Sequence, residues 1–524
     1  MRKQFFAAAA LAMGTALAGM SAAAAGDTLN FGCFSYADTL DPAVLTNSSW
    51  CLTRYGIGEC LFRFNENMEA EPYLCDSYEV SEDHLTWTFH IREGVRFSNG
   101  NAVTPSAVVA SIQRVYDETD PEKGGTGAAT PRTYMEYESM TADDEAGTVT
   151  IVTSKPYADL TGRLAYPCFC IIDVSEEEAG KNIGEEGPSG TGPYVVEEFA
   201  ADQYVLMSAN EYYWNGDVPF ENVQITFVDD DTTKAMALQN GDVDMVENIT
   251  SASALAQIEA MPDQFTVSRA SSARTGFAFL NMDGILGNET LRQAVQMALD
   301  HDTMCNITVG GMYIPGYSIL PSALDYGYEE LTNPYSYDPE AAKALLDEAG
   351  IVDTDGDGVR ELDGENINLN YVTYTNRNLS DFAQAVQVYL SQIGIGVTIQ
   401  TTDADTNWNL ISAGEYDLGD QNWITVGTGD PTDFLGNWYS KSESNFGRYA
   451  NEEYDAVYES LLAELDTDQR KEDIRQLQQI LLDDGVAIVH GYYTSSMCSS
   501  KAIENASIGI ADYYWLTSEI TPAE

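Results

Sequence analysis

Apolar and polar residues follow two different periods along this chain, and the periods predict strands and helices that alternate throughout. Residues 85–91 alternate strictly, with Leu85, Trp87, Phe89 and Ile91 on one face, which predicts a half-buried strand. The same criterion predicts further strands at 28–34, 149–152, 194–196, 204–207, 223–228 and 397–400.

Helices are predicted where apolar residues recur every three or four positions. Thr104-Pro105 and Asp338-Pro339 each supply an N-cap followed by proline at the first helical position, and Gly350 ends the second of these helices. Other helices are predicted at 232–239, 291–299, 382–393, 454–465 and 468–482. Because helices and strands are intermixed, the predicted fold class is α/β.

Length, composition and charge narrow the class of protein. At about 150 residues per domain, 524 residues predict two to four domains. The chain is 44% hydrophobic and 11% aromatic, which excludes a wholly disordered protein. Its 25 Lys and Arg against 83 Asp and Glu give a formal charge of −58. Nucleic acid and anionic membrane surfaces are therefore not expected as partners, because they require cationic side chains.

The first 25 residues have the pattern of a secretory signal peptide. Arg2 and Lys3 precede an apolar stretch over 5–20, and alanines at 22–25 predict cleavage after Ala25. Cleavage removes two cations and no acid, so the mature charge is 23 − 83 = −60. Residues 17–19 resemble the start of a lipoprotein box, but Met20 stands where a lipid-bearing cysteine is needed. We therefore predict an exported, soluble protein without a lipid anchor.

Motifs of common enzymes and of zinc sites are absent from the sequence. It contains no Walker A loop, G-x-S-x-G, H-E-x-x-H or C-x-x-C, and its four histidines are scattered. Eight cysteines in an exported chain allow disulfides, but they admit 105 connectivities and the sequence selects none. A secreted hydrolase with paired carboxylates stays open as a rival, because 83 acids provide every spacing.

An acidic segment, Asp353-x-Asp355-x-Asp357-Gly358, resembles the start of an EF-hand loop. The loop should end in glutamate at its twelfth position, where this chain has Gly364. We therefore predict a solvated turn and no metal site, with weak calcium binding left open. A calcium-dependent surface protein is the third hypothesis.

Aromatic residues mark a candidate ligand site. Trp423, Trp438 and Tyr439 lie within 421–440, which is otherwise rich in Gly, Thr and Asp. A strand that ends in such a loop offers flat apolar faces together with hydrogen-bonding groups. Each tryptophan is equally suited to core packing.

Eight segments in order carry a family resemblance. They are LDP at 40–42, the stretch 69–115, PSGTGPYVVEEF at 188–199, NEYYW at 210–214, ALQNGDVDM at 237–245, LRQAVQMALDHD at 291–302, YDPEAAKALLDEAG at 337–350 and GEYDLGDQNW at 414–423. Together they resemble the family 5 extracellular solute-binding proteins of ABC importers, which include dipeptide, oligopeptide and nickel binders. The resemblance covers essentially the whole mature chain.

The resemblance implies a periplasmic-binding-protein-like, two-lobed (Venus flytrap) fold with an extra domain inserted in the first lobe. Carried onto this sequence, lobe I is 26–61, 187–283 and 495–524, the extra domain is 62–186, and lobe II is 284–494. The chain would cross between the lobes near 280–283 and 490–496. Ligand bound between the lobes would stabilise the closed form.

The resemblance also implies a receptor in place of an enzyme. It would be a monomer without cofactors that delivers a small solute to permease subunits with ATPases. Short peptides are the first choice of solute, and a metal chelate, a sugar or another small organic solute are the alternatives. Peptide-binding relatives place an aspartate three residues after the tryptophan that matches Trp423. Here that residue is Val426, and the nearest acid is Asp430.

Eight ligand-binding residues are predicted from these considerations. They are Tyr36 and Asp38 after the first strand, Arg132 and Tyr134 in the extra domain, and Trp423, Thr425, Thr428 and Asp430 at the end of the tryptophan-bearing strand. Trp423 is expected to stack on the ligand, and the loop after it is expected to supply polar contacts.

Overall fold

The structure is a computed structural model that describes residues 28–125, 130–510 and 512–523. The predicted signal peptide at 1–25 lies outside these residues. Within the described ranges, no helix has both the length and the apolar character needed to cross a bilayer.

The described residues form twenty-one strands. In chain order they are β1 Thr28–Cys33, β2 Phe62–Phe64, β3 Ala70–Pro72, β4 Cys75–Val80, β5 Thr86–Ile91, β6 Tyr137–Asp143, β7 Thr148–Thr153, β8 Tyr194–Ala200, β9 Tyr204–Ala209, β10 Asn222–Phe227, β11 Met245–Glu247, β12 Phe265–Leu280, β13 Tyr313–Ile314, β14 Glu361–Leu362, β15 Glu365–Asn366, β16 Asn368–Tyr374, β17 Gly396–Thr402, β18 Leu418–Ile424, β19 Ala487–Ser500, β20 Ile503–Glu504 and β21 Thr521–Pro522.

Sixteen α-helices are found in the same described ranges. They are α1 Thr46–Arg54, α2 Pro105–Glu118, α3 Thr130–Tyr134, α4 Leu160–Arg163, α5 Ser175–Glu178, α6 Ile183–Glu186, α7 Asp231–Asn240, α8 Ala252–Glu259, α9 Glu289–Met297, α10 His301–Thr303, α11 Pro339–Glu348, α12 Leu379–Gln392, α13 Ala404–Ala413, α14 Thr432–Leu435, α15 Glu452–Ala463 and α16 Thr467–Asp483.

One mixed sheet of eleven strands runs through the molecule. Its order is β17–β16–β18–β12–β19–β11–β1–β10–β9–β8, with β13 also paired to β19. The long antiparallel strands β12 and β19 join its two halves, because β12 also pairs with β18 while β19 also pairs with β11. These two strands therefore connect what the sequence predicts to be lobe II with lobe I.

The pairing of β12 with β19 is irregular at the middle of the sheet. The register shifts between Ser271 and Thr275 and again between Gly276 and Phe277. Ser271 pairs with Thr494 and Gly276 pairs with Gly491. The irregular part of β19 thus lies in the predicted crossing 490–496, whereas that of β12 precedes the predicted crossing at 280–283. Bulges of this kind bend a strand. Both crossings between the lobes stay predictions.

A second, antiparallel sheet of order β4–β5–β7–β6 lies within residues 75–153. Its strand β5 has the predicted alternation, with Trp87, Phe89 and Ile91 buried. These side chains belong to a hydrophobic core that is separate from those under the main sheet. The division into lobes and an inserted domain stays a prediction.

Two helices begin at the capping residues that the sequence predicts. Thr104 accepts a hydrogen bond from the N–H of Ala107 and begins α2, and Asp338 accepts one from Ala341 and begins α11. Helix α1 was not predicted, because its sequence TNSSWCLTR has no continuous apolar stripe. All eight cysteines are buried free thiols, so no disulfide joins these described residues.

Glu59 is a buried acid at the start of the segment that leads to β2. Its Oε2 accepts hydrogen bonds of 2.8 Å from the hydroxyl of Thr191 and from the indole N–H of Trp214. Burial is the main reason that the pKa of Glu59 rises from 4.5 to about 7. The folded state therefore favours the neutral carboxyl.

Replacing Glu59 with glutamine is expected to flatten the pH dependence of stability. In the wild type the unfolded chain releases this proton near pH 4.5 and the folded protein near pH 7. The free energy of unfolding should therefore fall as the pH rises between these values, by up to about 3 kcal/mol. Urea unfolding at intervals from pH 4.5 to 7.5 measures this free energy. Glu79→Gln is the control, because Glu79 is exposed. Parallel pH profiles for Glu59→Gln and the wild type would contradict the expectation.

Candidate ligand-binding site

A cavity of about 290 Å³ lies where β12, β18 and the loop after β18 meet the residues of 130–166. Its volume is at the lower end of the range for small-molecule sites. Six aromatic side chains line it, namely Trp50, Tyr134, Tyr166, Trp423, Phe434 and Tyr513. Such flat walls suit a small ligand that stacks between rings.

Strand pairing places Trp423 at this cavity. Trp423 is the penultimate residue of β18 and pairs with Thr275 on β12. Its ring lies 5.8 Å from Phe277 and 5.6 Å from Phe279 and from Trp408, centroid to centroid. One face of Trp423 is therefore fixed by packing while the side chain still lines the cavity.

The loop after β18 is tied back to β12. Both the N–H and the hydroxyl of Thr425 donate to the carbonyl oxygen of Ala273, at 2.8 and 3.2 Å. Val426 is fully buried and packs in the core of the second sheet. The position that carries an aspartate in peptide-binding relatives is thus an apolar packing position in this chain.

Two carboxylates at the cavity are held by arginines. Asp430 forms an ion pair of 2.7 Å with Arg470, and its other oxygen caps Thr432. Asp433 is paired with Arg163 at 3.0 Å. Asp433 remains 42% exposed, so its oxygens are accessible for a further hydrogen bond.

Arg274 supplies a positive charge to the same cavity. It is 6% exposed, and its Nη1 donates to the carbonyl oxygen of Asn422 at 3.4 Å. Its guanidinium lies 5.8 Å from the ring of Trp50. Burial, and after it the charges of Arg377 and Arg54, lower the pKa of Arg274 to about 10, so the group stays protonated at neutral pH. The cavity thus presents a cation and carboxylates together.

A second cavity of about 470 Å³ adjoins the first and shares Thr428 and Asp430 with it. It lies between α4 and α16 and is lined also by Asp159, Tyr326 and Arg470. Sequence reasoning did not predict it, because its walls come from five segments that are distant in the chain. It gives a ligand room to extend beyond the aromatic cavity.

Five of the eight predicted residues line the first cavity: Tyr134, Trp423, Thr425, Thr428 and Asp430. The hydroxyls of Thr425 and Thr428 are bonded to backbone carbonyls, which limits what they offer a ligand. Whether these residues bind the ligand stays a prediction.

The other three predicted residues lie outside this cavity. Asp38 is exposed, and Arg132 turns toward its own segment, where it pairs with Asp120 at 3.0 Å and donates to the carbonyl of Tyr116. Tyr36 donates to Glu247 at 3.2 Å and packs beneath Arg54. The prediction followed chain position, whereas these hydrogen bonds decide where each side chain points.

Trp50 and Arg274 were missed. Trp50 is not followed by residues typical of a turn. Arg274 lies in β12, a strand that the sequence pattern did not predict. The scarcity of cations was the available signal, because the chain has only 25 Lys and Arg. Charged side chains are rarely buried without a partner, so each buried arginine is a candidate functional residue.

The acidic segment at 353–361 forms a hydrogen-bonded turn. The carboxylate of Asp353 accepts from the N–H groups of Gly356 and Gly358, at 2.6 and 2.9 Å. Glu361 accepts from the N–H and hydroxyl of Thr354. Oxygens of Asp353, Asp355 and Glu361 lie within 4.8 Å of one another. The predicted turn is therefore observed, and backbone groups provide its main contacts.

Comparison with known proteins gives the family. The model for bacterial extracellular solute-binding proteins, family 5 Middle, matches residues 69–446. The probable D,D-dipeptide-binding periplasmic protein DdpA of Escherichia coli (strain K12) is 26% identical over 498 residues, which cover 91% of each chain. The nickel-binding periplasmic protein of the same organism is 25% identical and covers 88% of this chain and 87% of its own.

A solved structure confirms the fold. NikA from Brucella suis in complex with Fe(III)-EDTA has a TM-score of 0.83 at 22% identity and covers 95% of this chain and all of its own. The predicted two-lobed α/β fold and the predicted family are thus confirmed, while the inserted domain stays a prediction. This chain belongs to the bacterial extracellular solute-binding proteins of family 5, the solute-binding components of ABC importers.

Proposed function

We propose that the protein is an extracytoplasmic receptor that closes over a short peptide and delivers it unaltered to the permease of an ABC importer. The observation that carries this proposal is that groups of opposite charge line one cavity with aromatic walls. Arg274 matches the carboxylate of a zwitterionic peptide, and Asp430 and Asp433 match its ammonium group. A charge-assisted hydrogen bond is roughly twice as strong as a neutral one, so both termini would contribute to affinity.

The names of relatives and the shape of the cavity support a peptide as the ligand. The relative of similar length from Escherichia coli is named as a D,D-dipeptide-binding protein. Aromatic walls accept different side chains, and the second cavity adjoining Thr428 offers space for them. Since Val426 replaces the aspartate of peptide-binding relatives, the ammonium group would instead bind at Asp430 or Asp433.

An anionic metal chelate is the second candidate. Arg274 has no ion-pair partner among the described residues, so it suits a ligand carboxylate of either kind. The nickel-binding relative and the Fe(III)-EDTA complex of NikA are consistent with this candidate.

Mass spectrometry of the ligand released by mild unfolding tests the proposal. We expect short peptides to co-purify, to raise the melting temperature when added back, and to be recovered unchanged after incubation. Ligand bound only to the folded state stabilises it by about 2.7 kcal/mol at a hundredfold excess over Kd. A peptide recovered in hydrolysed form would favour the secreted hydrolase, and a loss of stability with chelator would favour the calcium-dependent protein.

Replacing Trp423 with alanine is expected to weaken binding of the co-purified ligand by about 1–3 kcal/mol, because it removes the largest stacking surface that β18 gives to the cavity. Isothermal titration calorimetry measures the change. Tyr337→Ala is the control, since Tyr337 is an exposed aromatic residue that does not line the cavity. Equal affinity for Trp423→Ala and the wild type would remove Trp423 from the site.

A further inference from the structure

Three arginines from different parts of the chain, Arg54, Arg274 and Arg377, are near enough for their charges to interact and are called the arginine cluster here. Of the three, Arg274 lines the ligand cavity. Arg54 ends α1, Arg274 lies on β12, and Arg377 lies in the loop after β16. The guanidinium carbons of Arg54 and Arg274 lie 5.0 and 5.8 Å from the ring of Trp50. Both predicted lobes therefore contribute to the cluster.

Arg377 joins the cluster through its neighbours. The hydroxyl of Tyr313 donates to the carbonyl of Arg377 at 2.7 Å and accepts from the side-chain amide of Asn422 at 2.9 Å. Asn422 is also the residue whose carbonyl oxygen accepts from Arg274. The charge of Arg377 acts on Arg274 more strongly than that of any other side chain.

The backbone that presents Arg377 is strained. Arg377 and Asn378 have φ values of 51° and 58°, in the left-handed region that residues other than glycine rarely adopt. Two consecutive residues in this region need support from their surroundings, and such strain is concentrated at ligand sites. The loop therefore holds Arg377 at a conformational cost, with its guanidinium carbon 5.6 Å from the ring of Tyr493.

The cluster has too few acceptors for its donors. Arg54 is satisfied in part by Asp512, at 3.0 Å. Neither Arg274 nor Arg377 has an ion-pair partner among the described residues, and the Nε of each is buried without a hydrogen bond. An unmade hydrogen bond costs more free energy for a buried charged group than for a buried neutral one. The guanidinium groups of Arg274 and Arg377 thus each have an Nε–H donor without an acceptor.

The nearby acids do not supply these acceptors. Asp512 is already bound to Arg54. Glu247 uses one oxygen for the N–H of Phe34 and the hydroxyl of Tyr36. Its other oxygen is buried without a hydrogen bond and bonds neither Arg274 nor Arg377, and burial raises the pKa of this carboxyl above its ordinary value. Asp231 is paired with Lys234 at 3.1 Å. The cluster keeps an excess of positive charge inside a protein whose formal charge is −58.

We propose that the arginine cluster recognises two carboxylates of one ligand, so that this receptor prefers peptides whose carboxyl-terminal residue is aspartate or glutamate. A guanidinium presents a planar fork that matches one carboxylate, and two unpaired guanidiniums match two. The terminal carboxylate and the acidic side chain of one residue supply both groups a few ångströms apart. The inference rests on the proposed function and adds a preference for net-negative ligands.

Calorimetry with four small ligands tests the inference on the whole mature protein after its endogenous ligand is removed by mild unfolding. The ligands are Ala-Glu, its uncharged analogue Ala-Gln, Ala-Lys, and glutarate, which has two carboxylates and no amine. We expect Ala-Glu to bind at least tenfold more tightly than Ala-Gln, and Ala-Lys to bind least tightly of the three peptides. Arg377→Gln should reduce the ratio of the Ala-Glu and Ala-Gln affinities at least fivefold, whereas the exposed Arg132→Gln should leave this ratio unchanged.

The outcomes separate this inference from the proposed function. Equal affinities for Ala-Glu and Ala-Gln in the wild type would overturn the acidic preference and leave the peptide receptor intact. Binding of glutarate without binding of any peptide would support the two-carboxylate site and overturn the peptide proposal. Absence of binding for all four ligands would overturn both. The wild-type comparison needs no variant, so a variant that fails to fold does not affect it.

Discussion

Replacing Asp420 with alanine is expected to lower the free energy of unfolding by about 3–5 kcal/mol. Asp420 is fully buried on β18, where its two oxygens accept hydrogen bonds from three side chains. Tyr371 donates at 2.7 Å, Thr373 at 2.6 Å, and Nε2 of His490 lies at 2.7 Å. Without the carboxylate, the buried hydroxyl of Thr373 would lose its partner, and Tyr371 and His490 would keep only their mutual contact of 3.3 Å.

The burial of the network explains the size of this effect. Burial, and then the charge of Asp420, raise the pKa of Tyr371 well above its ordinary value, so the hydroxyl stays a donor. The imidazole of His490 stacks on Phe382 with ring centroids 4.7 Å apart, which fixes its orientation. None of the three partners of Asp420 can turn to solvent to recover its hydrogen bond, because Tyr371, Thr373 and His490 are fully buried.

Urea unfolding monitored by tryptophan fluorescence measures the change. Thr373→Val is the graded control, since it removes one of the three donors and keeps the shape of the side chain. It should lower stability by about 1 kcal/mol. If Asp420→Ala costs no more than Thr373→Val, the carboxylate does not organise this core.

Replacing Gly162 with leucine is expected to weaken ligand binding at least a hundredfold, or by about 3 kcal/mol. Gly162 lies on α4, and a Cβ built there would be 2.0 Å from the carbonyl oxygen of Thr428. Real Cβ atoms essentially never approach another atom closer than 3.0 Å. Since Thr428 belongs to the loop at the ligand cavity, a larger side chain at 162 would force α4 and this loop apart.

The clash should act on closure more than on the folding of either part. It arises only where α4 meets the loop after β18, beside the ion pair of Arg163 with Asp433. A substitution that penalises the closed form lowers the population able to bind, and the apparent affinity falls by the same factor. Small-angle scattering of Gly162→Leu should therefore show a larger radius of gyration than the wild type in the presence of ligand.

Gly509→Leu is the matched control for this experiment, because an added Cβ at Gly509 meets nothing within 4 Å. It should bind ligand and close like the wild type. A Gly162→Leu protein that keeps the wild-type Kd and scattering curve would show that the approach of α4 to Thr428 is not required for binding.

Local signals were sufficient where one residue decides the local conformation. Thr104 and Asp338 cap α2 and α11 as their sequences predict, and the alternation of residues 85–91 gives the half-buried strand β5. Helix α1 escaped prediction because contacts with distant segments stabilise it, among them the bonds from Arg54 to Asp512. Those contacts join residues that are 458 positions apart.

The candidate site was only partly accessible to the same reasoning. Trp423 and the loop after it were predicted because a tryptophan precedes a run of Gly, Thr and Asp. Arg274 and Arg377 lie in segments without such a signal, and their significance comes from being near each other without carboxylate partners. Arg132 shows the opposite case, because its ion pair with Asp120 holds it away from the cavity.

By itself the sequence determined the negative formal charge, the capped helices, the alternating strands and, through ordered motifs, the family, and it predicts an export signal. Each of these depends on residues close together in the chain. Only the tertiary structure decided that β12 and β19 bend inside their pairing, that Gly162 touches Thr428, and that the arginine cluster lacks acceptors. The physical reason is that burial and charge balance are properties of neighbours in space, and no local pattern records which distant residues will become neighbours.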